Sequence, residues 1–120
     1  METGIIPGMV TVEPEVLETI ARFTTLNVPG VVQLVEKDVD RLLGLQGKSV
    51  GVHIDGGKVT VDLSVVAGPE ISLLRLGRAV QYEVTRAIQN MIGMPVDAVN
   101  VHIEDVVYPR SEGQAEALAN

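Results

Sequence analysis

Cysteine is absent from all 120 residues, which excludes a disulfide framework, a thiol nucleophile and thiolate metal ligands. Aromatic residues are scarce as well, because Phe23, Tyr82 and Tyr108 are the only ones. No apolar run reaches the roughly 18 residues that a membrane-spanning helix needs. The core must therefore be built from valine, leucine and isoleucine, and any attachment to a membrane would need a second, membrane-anchored protein.

Positive charge is the next deficit, with 9 lysines and arginines against 16 aspartates and glutamates and a net charge of −7. This balance repels phosphate backbones and anionic lipid headgroups. The N-terminal stretch METGIIPGMVTVEP has neither a basic region nor a long apolar region, unlike a secretory signal. These features predict a cytoplasmic protein that does not insert into a membrane or bind nucleic acid.

What the chain does contain is enough apolar sequence for one core. A domain of this length buries roughly two thirds of its unfolded surface, and 46% of the residues are hydrophobic. We predict a single domain over residues 1–107. The remaining residues, 108–120, end in the small and polar stretch RSEGQAEALAN, which predicts a mobile tail.

Two amphipathic segments predict helices near residues 14–26 and 70–92. Pro14 suits the first turn of the first helix, and the stretch NVPG at residues 27–30 ends it. Pro69 and Glu70 are expected to open the second helix, and Gly93 to stop it. The positions predicted to face the core are Val16, Leu17, Ile20, Ala21 and Phe23 in the first helix, and Leu73, Val80, Val84, Ile88 and Met91 or Ile92 in the second.

Alternating apolar residues predict strands. The stretch VGVHIDGGKVTVDLSVV predicts a hairpin that turns at Gly56-Gly57, with Asp55 opposite Lys58. The stretches GMVTV (8–12), VVQLVE and VDAVNVHIEDVV are also β-branched. A two-layer α+β sandwich follows, a mixed sheet with both helices on one face. Ten positions share that face: Val50, Val52, Ile54, Val59, Val61, Leu63, Val65, Val99, Val101 and Ile103.

The opposite face of this sheet is polar and carries both histidines of the chain. If the last strand neighbours the hairpin, His53, Asp62, His102 and Glu104 would match the composition of a zinc site or an acid–base pair. An open sheet face, however, has no walls that exclude water, and alternating polar residues are expected there in any case. We therefore predict no catalytic residue, no cofactor and no metal.

We interpret these polar positions instead as contacts for a protein partner. The strand edges lack proline and lysine, which predicts homo-oligomers through an edge or through the polar face. The second helix adds arginines that are open to an acidic surface. The residues predicted to contact partners are His53, Asp62, Asn100, His102, Glu104, Arg75, Arg78 and Arg86.

The segment 36–48 carries two short motifs that mimic binding loops. Gly47-Lys48-Ser49 would end a phosphate loop, but that loop needs a glycine where this chain has Leu42. Gly44 to Gly47 matches the GXXG loop of RNA-binding KH domains, but a strand follows it instead of a helix. With Asp38 as the cap of a short helix, the segment is best interpreted as a variable loop, and no enzyme signature remains.

Five stretches, taken in order, give the chain a family resemblance. They are VTVEPEVLETIARFTTLNVPGVVQLV, KSVGVHID, AGPEI, AVQYEVTRAIQNMIGM and VDAVNVHIEDV, which span about residues 5–107. In their order and spacing the chain resembles the alkaline shock proteins, the envelope stress response family of small bacterial proteins. It departs from the family at Ala67-Gly68, where a Tyr-Gly pair is common, and EKDVDRLLGLQ has no fixed counterpart.

The resemblance implies a non-enzymatic protein that self-associates. It also implies a cytoplasmic location with attachment to the inner side of the cell envelope through membrane-anchored relatives or partners. Some family members are thought to influence lipid metabolism. Two alternatives stay open from the residues themselves: a ligand- or metal-binding regulator that uses the polar sheet face, and a KH-like RNA-binding module that uses Gly44 to Gly47.

Overall fold

The computed structural model describes residues 6–35, 49–69 and 72–108, and these form an α+β fold. Its elements in chain order are α1 (Pro14–Leu26), β1 (Val31–Leu34), β2 (Val50–Asp55), β3 (Lys58–Ala67), α2 (Leu73–Ile92) and β4 (Val96–Val106). The expected fold class is confirmed. The predicted loop at 36–48, with its Asp38 cap and its glycine pattern, and the predicted tail beyond Tyr108 lie outside the described residues.

β3 is the centre of the sheet, because every other strand pairs with it. β2 runs antiparallel to β3 with Asp55 opposite Lys58 and Val52 opposite Val61, which is the predicted hairpin register. β1 pairs antiparallel with the end of β3. Ser64 shows that β1 and β2 share one edge: its N–H donates to Ser49 O and its C=O accepts from Val35 N, both at 2.9 Å.

β4 occupies the other edge of β3 and runs parallel to it. A parallel neighbour needs a crossover connection, and the 20-residue helix α2 supplies it. The register skips Asp97 near the start of β4 and Glu104 near its end. These two bulges bend the strand while its central part stays in regular register.

The core lies between the sheet and the two helices and is aliphatic, as predicted. Six of the ten predicted strand positions are buried in it, and Val52, Val101 and Ile103 pack against it half-buried. Ile54 is the exception, since it sits beside the hairpin turn and is 38% exposed.

Each helix buries a narrower stripe than its apolar residues predict. α1 buries Leu17, Ile20, Ala21 and Thr25, whereas Val16 and Phe23 are exposed. The prediction that those two residues are buried was wrong. They lie on one side of the helix, two turns apart, and that side is roughly 100° around the axis from the buried stripe. In α2 the buried residues are Leu76, Val80, Val84 and Ile88, and the predicted core position Leu73 is exposed. Of the two alternatives at the end of the helix, Ile92 packs against the core and Met91 is exposed.

The start of α2 and the N-terminal segment also differ from the prediction. α2 begins at Leu73 after the N-cap Ser72, whose hydroxyl accepts from Arg75 N at 3.5 Å. The serine hydroxyl accepts from a free N–H of the first turn, which the side chain of Pro69 could not do. Glu70 lies outside the described residues. The β-branched residues 8–12 belong to no strand, because no neighbouring strand pairs with them among the described residues.

Two glycines of α2 provide a test of backbone conformation. Gly93 caps the helix at φ 81°, whereas Gly77 lies inside it, and an added Cβ would meet nothing within 4 Å at either site. Gly93→Ala should therefore destabilise by about 1–2 kcal/mol through left-handed strain. Gly77→Ala should stabilise by up to about 1 kcal/mol through helix propensity. Denaturant titration of the pair measures both, and effects of equal sign would contradict the assigned conformations.

Candidate interaction surface

The two histidines lie far apart on the polar side of the sheet. His53 on β2 is opposite Thr60, and His102 on β4 is opposite Ser64. They are thus separated by the width of β3 and by four residues along it, roughly 16 Å at standard strand spacings. His53, Asp62, His102 and Glu104 are therefore not assembled into one ligand set. Within the described ranges, no three histidines or carboxylates are grouped closely enough to hold a metal ion.

Asp62 and Asn100 are the pair that this face does bring together. The register places them side by side on β3 and β4, and Asn100 Nδ2 donates to Asp62 Oδ1 at 3.0 Å. Both side chains are exposed, as are those of His53, His102 and Glu104. We call these five residues the sheet face. It is flat and hydrated, so it offers contacts to a partner but no enclosed site.

The arginines lie on the outer side of α2. Arg75, Arg78, Tyr82 and Arg86 follow one another at spacings of three and four residues, which aligns them on one side of the helix over roughly 16 Å. All four are exposed, and the one acidic residue of α2, Glu83, is half-buried. We call Arg75, Arg78 and Arg86 the arginine face. It is a local concentration of positive charge on a chain of net charge −7.

The eight residues predicted to contact partners therefore form two surfaces instead of one. The arginine face lies opposite the buried stripe of α2, so it points away from the core. The sheet face lies on the uncovered side of the sheet, across the whole sandwich. Sequence periodicity places a residue on a side of its own helix or strand, but it does not say which sides are neighbours.

Gln81 is a contact residue that sequence reasoning does not select. Its side-chain amide accepts from Arg78 Nη1 at 2.9 Å and donates through Nε2 to the backbone oxygen of Val99 at 3.1 Å. It therefore links the arginine face to the outer edge of β4. A glutamine in the middle of an amphipathic helix carries no signal of such a role, because only the tertiary structure brings β4 beside it.

Two of the grooves that border α2 lie between it and another element. One, of about 670 Å³, lies between the end of α1 and α2 and is lined by residues that include Thr24, Asn27, Glu83 and Arg86. The other, of about 310 Å³, lies between the start of α2 and β4 and is lined by Leu73, Leu74, Gly77, Arg78, Gln81, Val101 and Ile103. The second groove is mainly apolar, with Arg78 and Gln81 as its polar residues, and it runs alongside a strand edge.

Comparisons with curated proteins find bacterial relatives. Uncharacterized protein Spy1535 of Streptococcus pyogenes is 29% identical over 103 residues, which are 83% of this chain and 80% of that protein. Uncharacterized protein YqhY of Bacillus subtilis is 26% identical over 106 residues, 84% of this chain and 78% of that protein. Neither name gives an enzymatic activity.

Solved structures of MamM C-terminal domains share the fold. A MamM-CTD structure has a TM-score of 0.50 at 15% identity and covers 78% of this chain and 99% of its own. The copper form of MamM CTD has a TM-score of 0.54 at 18% identity, covering 82% of this chain and 88% of its own. At such low identity the likeness concerns the fold alone.

The family model of the alkaline shock proteins, described as having a cell envelope-related function, matches residues 4–108. Neither α1 nor α2, the helices of the described part of the chain, combines the length and the hydropathy needed to cross a bilayer. The match spans most of the 120 residues and agrees with the five stretches of sequence that carry the resemblance. The chain therefore belongs to the alkaline shock protein family.

Proposed function

We propose that this protein is a non-enzymatic interaction module of the envelope stress response, acting at the cytoplasmic side of the cell envelope. In this proposal it binds an acidic surface of a membrane-anchored partner through the arginine face. The observation that carries it is the alignment of Arg75, Arg78 and Arg86 on the outer side of α2 in an otherwise acidic chain. The description of the family as cell envelope-related supports the location.

Arginine suits this role better than a diffuse positive charge would. Its planar guanidinium donates two parallel hydrogen bonds to a carboxylate, so a row of arginines recognises a row of acidic side chains by geometry as well as charge. The net charge of −7 at the same time repels anionic lipid headgroups. A membrane-anchored protein is accordingly a better partner than the lipid surface itself.

Retention on native envelope vesicles tests this contact. The triple variant Arg75→Gln, Arg78→Gln, Arg86→Gln should lower the retained fraction at least fivefold, and added salt should weaken the wild-type retention because exposed charges are screened. The matched control is His53→Gln, Asn100→Ala, His102→Gln on the sheet face, which should keep wild-type retention. Loss in the control alone would assign the contact to the sheet face, and retention of the arginine variant would refute the proposal.

Self-association is the second part of the proposed function. The edge strands β1, β2 and β4 expose backbone groups that β3 does not use, and such edges pair readily with other chains. Association through a strand edge should persist at high salt, unlike binding through the arginine face. Sedimentation equilibrium over a range of protein and salt concentrations measures it, and a monomer at high micromolar concentration throughout would refute it.

A further inference from the structure

The pairing of the sheet shows which backbone N–H and C=O groups of β4 point outward from its outer edge. Ser64 N–H and C=O both point to the β1 and β2 edge, so the odd-numbered residues 59–65 of β3 point their backbone groups to β4. In the parallel register that pairs Leu63 with Val101, the backbone groups of Asn100 and His102 then point inward. Those of Val99, Val101 and Ile103 point outward, away from the sheet.

Part of this outer edge is already capped. The outward oxygen of Val99 accepts from Gln81 Nε2 at 3.1 Å. At the other end, beyond the bulge, Val106 N–H donates to the carboxylate of its neighbour Asp105 at 2.8 Å. Between these two caps, the N–H and C=O of Val101 and Ile103 have no hydrogen-bond partner among the described residues. The open part of the edge is therefore short and has defined limits.

The apolar groove of about 310 Å³ lies next to this open part. Val101 and Ile103 form one wall, and α2 lines the rest of it with the apolar residues Leu73, Leu74 and Gly77 and with the polar residues Arg78 and Gln81. Leu74 is 70% exposed, an unusual state for a leucine beside a strand edge. A strand added here would find two free backbone positions for hydrogen bonds and an apolar pocket for the side chains on its helix-facing side.

Residues 6–12, the N-terminal arm, have the complementary properties. Met9 is 91% exposed and Val10 is 96% exposed, and no hydrogen bond joins the arm to another described residue. The arm contains no charged residue, and its backbone alternates with Val10 and Val12 on one side and Met9 and Thr11 on the other. The arm therefore has the residue pattern of a strand but belongs to no sheet.

We infer that the arm of a second copy of this chain adds to β4 as an extra strand at Val101 and Ile103. This rests on the proposed self-association and specifies its contact. Val10 and Val12 of the incoming arm face Leu73 and Leu74, while Met9 and Thr11 continue the polar side of the sheet. Backbone hydrogen bonds supply the affinity and the groove selects the register, as in other strand additions.

The arm explains more of the structure than the alternatives do. Direct pairing of two β4 edges would leave the exposed arm uncovered. Pairing of the arm with its own β4 is hindered by the layout, because α1, to which the arm is attached, packs on β1, β2 and α2. α2 lies between α1 and β4. A second copy brings its arm to β4 without crossing the helix layer.

A matched pair of arm variants tests the contact. Val10→Lys places a positive charge on the side of the arm that enters the groove, which Arg78 also lines, and should raise the dissociation constant of self-association more than tenfold. Met9→Lys places the same charge one residue away on the opposite side, and should change the constant by less than about threefold. Both residues are fully accessible in the single chain, so neither variant should unfold the protein, and circular dichroism verifies this.

Disulfide trapping adds a positional test, because the natural chain has no cysteine. Mixed and oxidised, the Val10→Cys and Leu74→Cys proteins should give a covalent heterodimer. Val10→Cys mixed with Tyr82→Cys, whose site is 63% exposed on the arginine side of α2, should give far less.

The outcomes separate this inference from the proposed function. A wild-type protein that never self-associates would refute both the arm contact and the self-association part of the proposed function. Self-association that survives Val10→Lys, or trapping that is no better with Leu74→Cys than with Tyr82→Cys, would refute the arm contact and leave association through another surface. Trapping that occurs only when both cysteines are in the same chain would assign the arm to its own β4 and equally overturn the inference.

Discussion

Leu63→Ala is expected to lower the free energy of unfolding by about 2–5 kcal/mol, the usual range for deleting a buried leucine side chain. Leu63 is fully buried at the middle of β3, where it is paired with Val50 on one side and Val101 on the other. The surrounding strands hold the backbone in place, so the cavity cannot collapse. A loss near the upper end of the range would remove much of the roughly 5–15 kcal/mol that stabilises a typical domain.

Ile54→Ala is the matched control for Leu63. It removes an aliphatic side chain of the same size from the same hairpin, but Ile54 is 38% exposed beside the turn. The loss of unfolding free energy in Ile54→Ala should be well under half of that in Leu63→Ala. Urea titration of both variants measures the two losses, provided that the free energy falls with urea concentration at the same slope in each. Equal losses at the two positions would mean that Ile54 is as deeply packed as Leu63, in conflict with its 38% exposure.

Thr25→Val is expected to stabilise the protein by about 1–2 kcal/mol, because burying a hydroxyl without a hydrogen bond is costly. Thr25 is fully buried in α1, and its Oγ1 has no hydrogen-bond partner within the part of the chain that the structure describes. Valine has the same shape and nearly the same helix propensity. The exchange therefore removes the polar atom and leaves the packing intact.

Thr24→Val, one residue earlier in α1, is the control for this gain. Thr24 is half-buried and reaches solvent, so the same exchange there should change stability by no more than about 0.5 kcal/mol. Thermal unfolding followed by circular dichroism compares the two variants. A destabilised Thr25→Val protein would show that the hydroxyl does have a partner, for example a bound water molecule, and that this partner contributes to the fold.

The hairpin was predictable from sequence to the level of single residue pairs, because its register is set locally. Gly56-Gly57 fixes the turn, and both glycines have positive φ; alternation then fixes which side of each strand is buried. The parallel placement of β4 beside β3 has no such local determinant. It depends on how the 20 residues of α2 cross the sheet, a property of packing between elements that are distant in sequence.

Failures of the sequence-based prediction have related causes. Residues 8–12 alternate like a strand, but a strand needs a partner, and no described residue of the same chain pairs with them. Leu73 matches the helical period of the core, yet it is the first residue of α2 and lines the open groove beside β4. The candidate contact residues were each assigned to a side of their element from the sequence, whereas the contact of Gln81 with β4 required the three-dimensional structure.

The central position of β3 also determines how the domain opens. β1, β2 and β4 each pair with β3 and with no other strand of the described sheet. No two of them can remain joined once β3 detaches, so the sheet contains no smaller unit that survives local unfolding around this strand. Amide protons of β3 should accordingly exchange with solvent only when the whole domain unfolds. In the language of native-state hydrogen exchange, the sheet is a single foldon, and β3 is its slowest member.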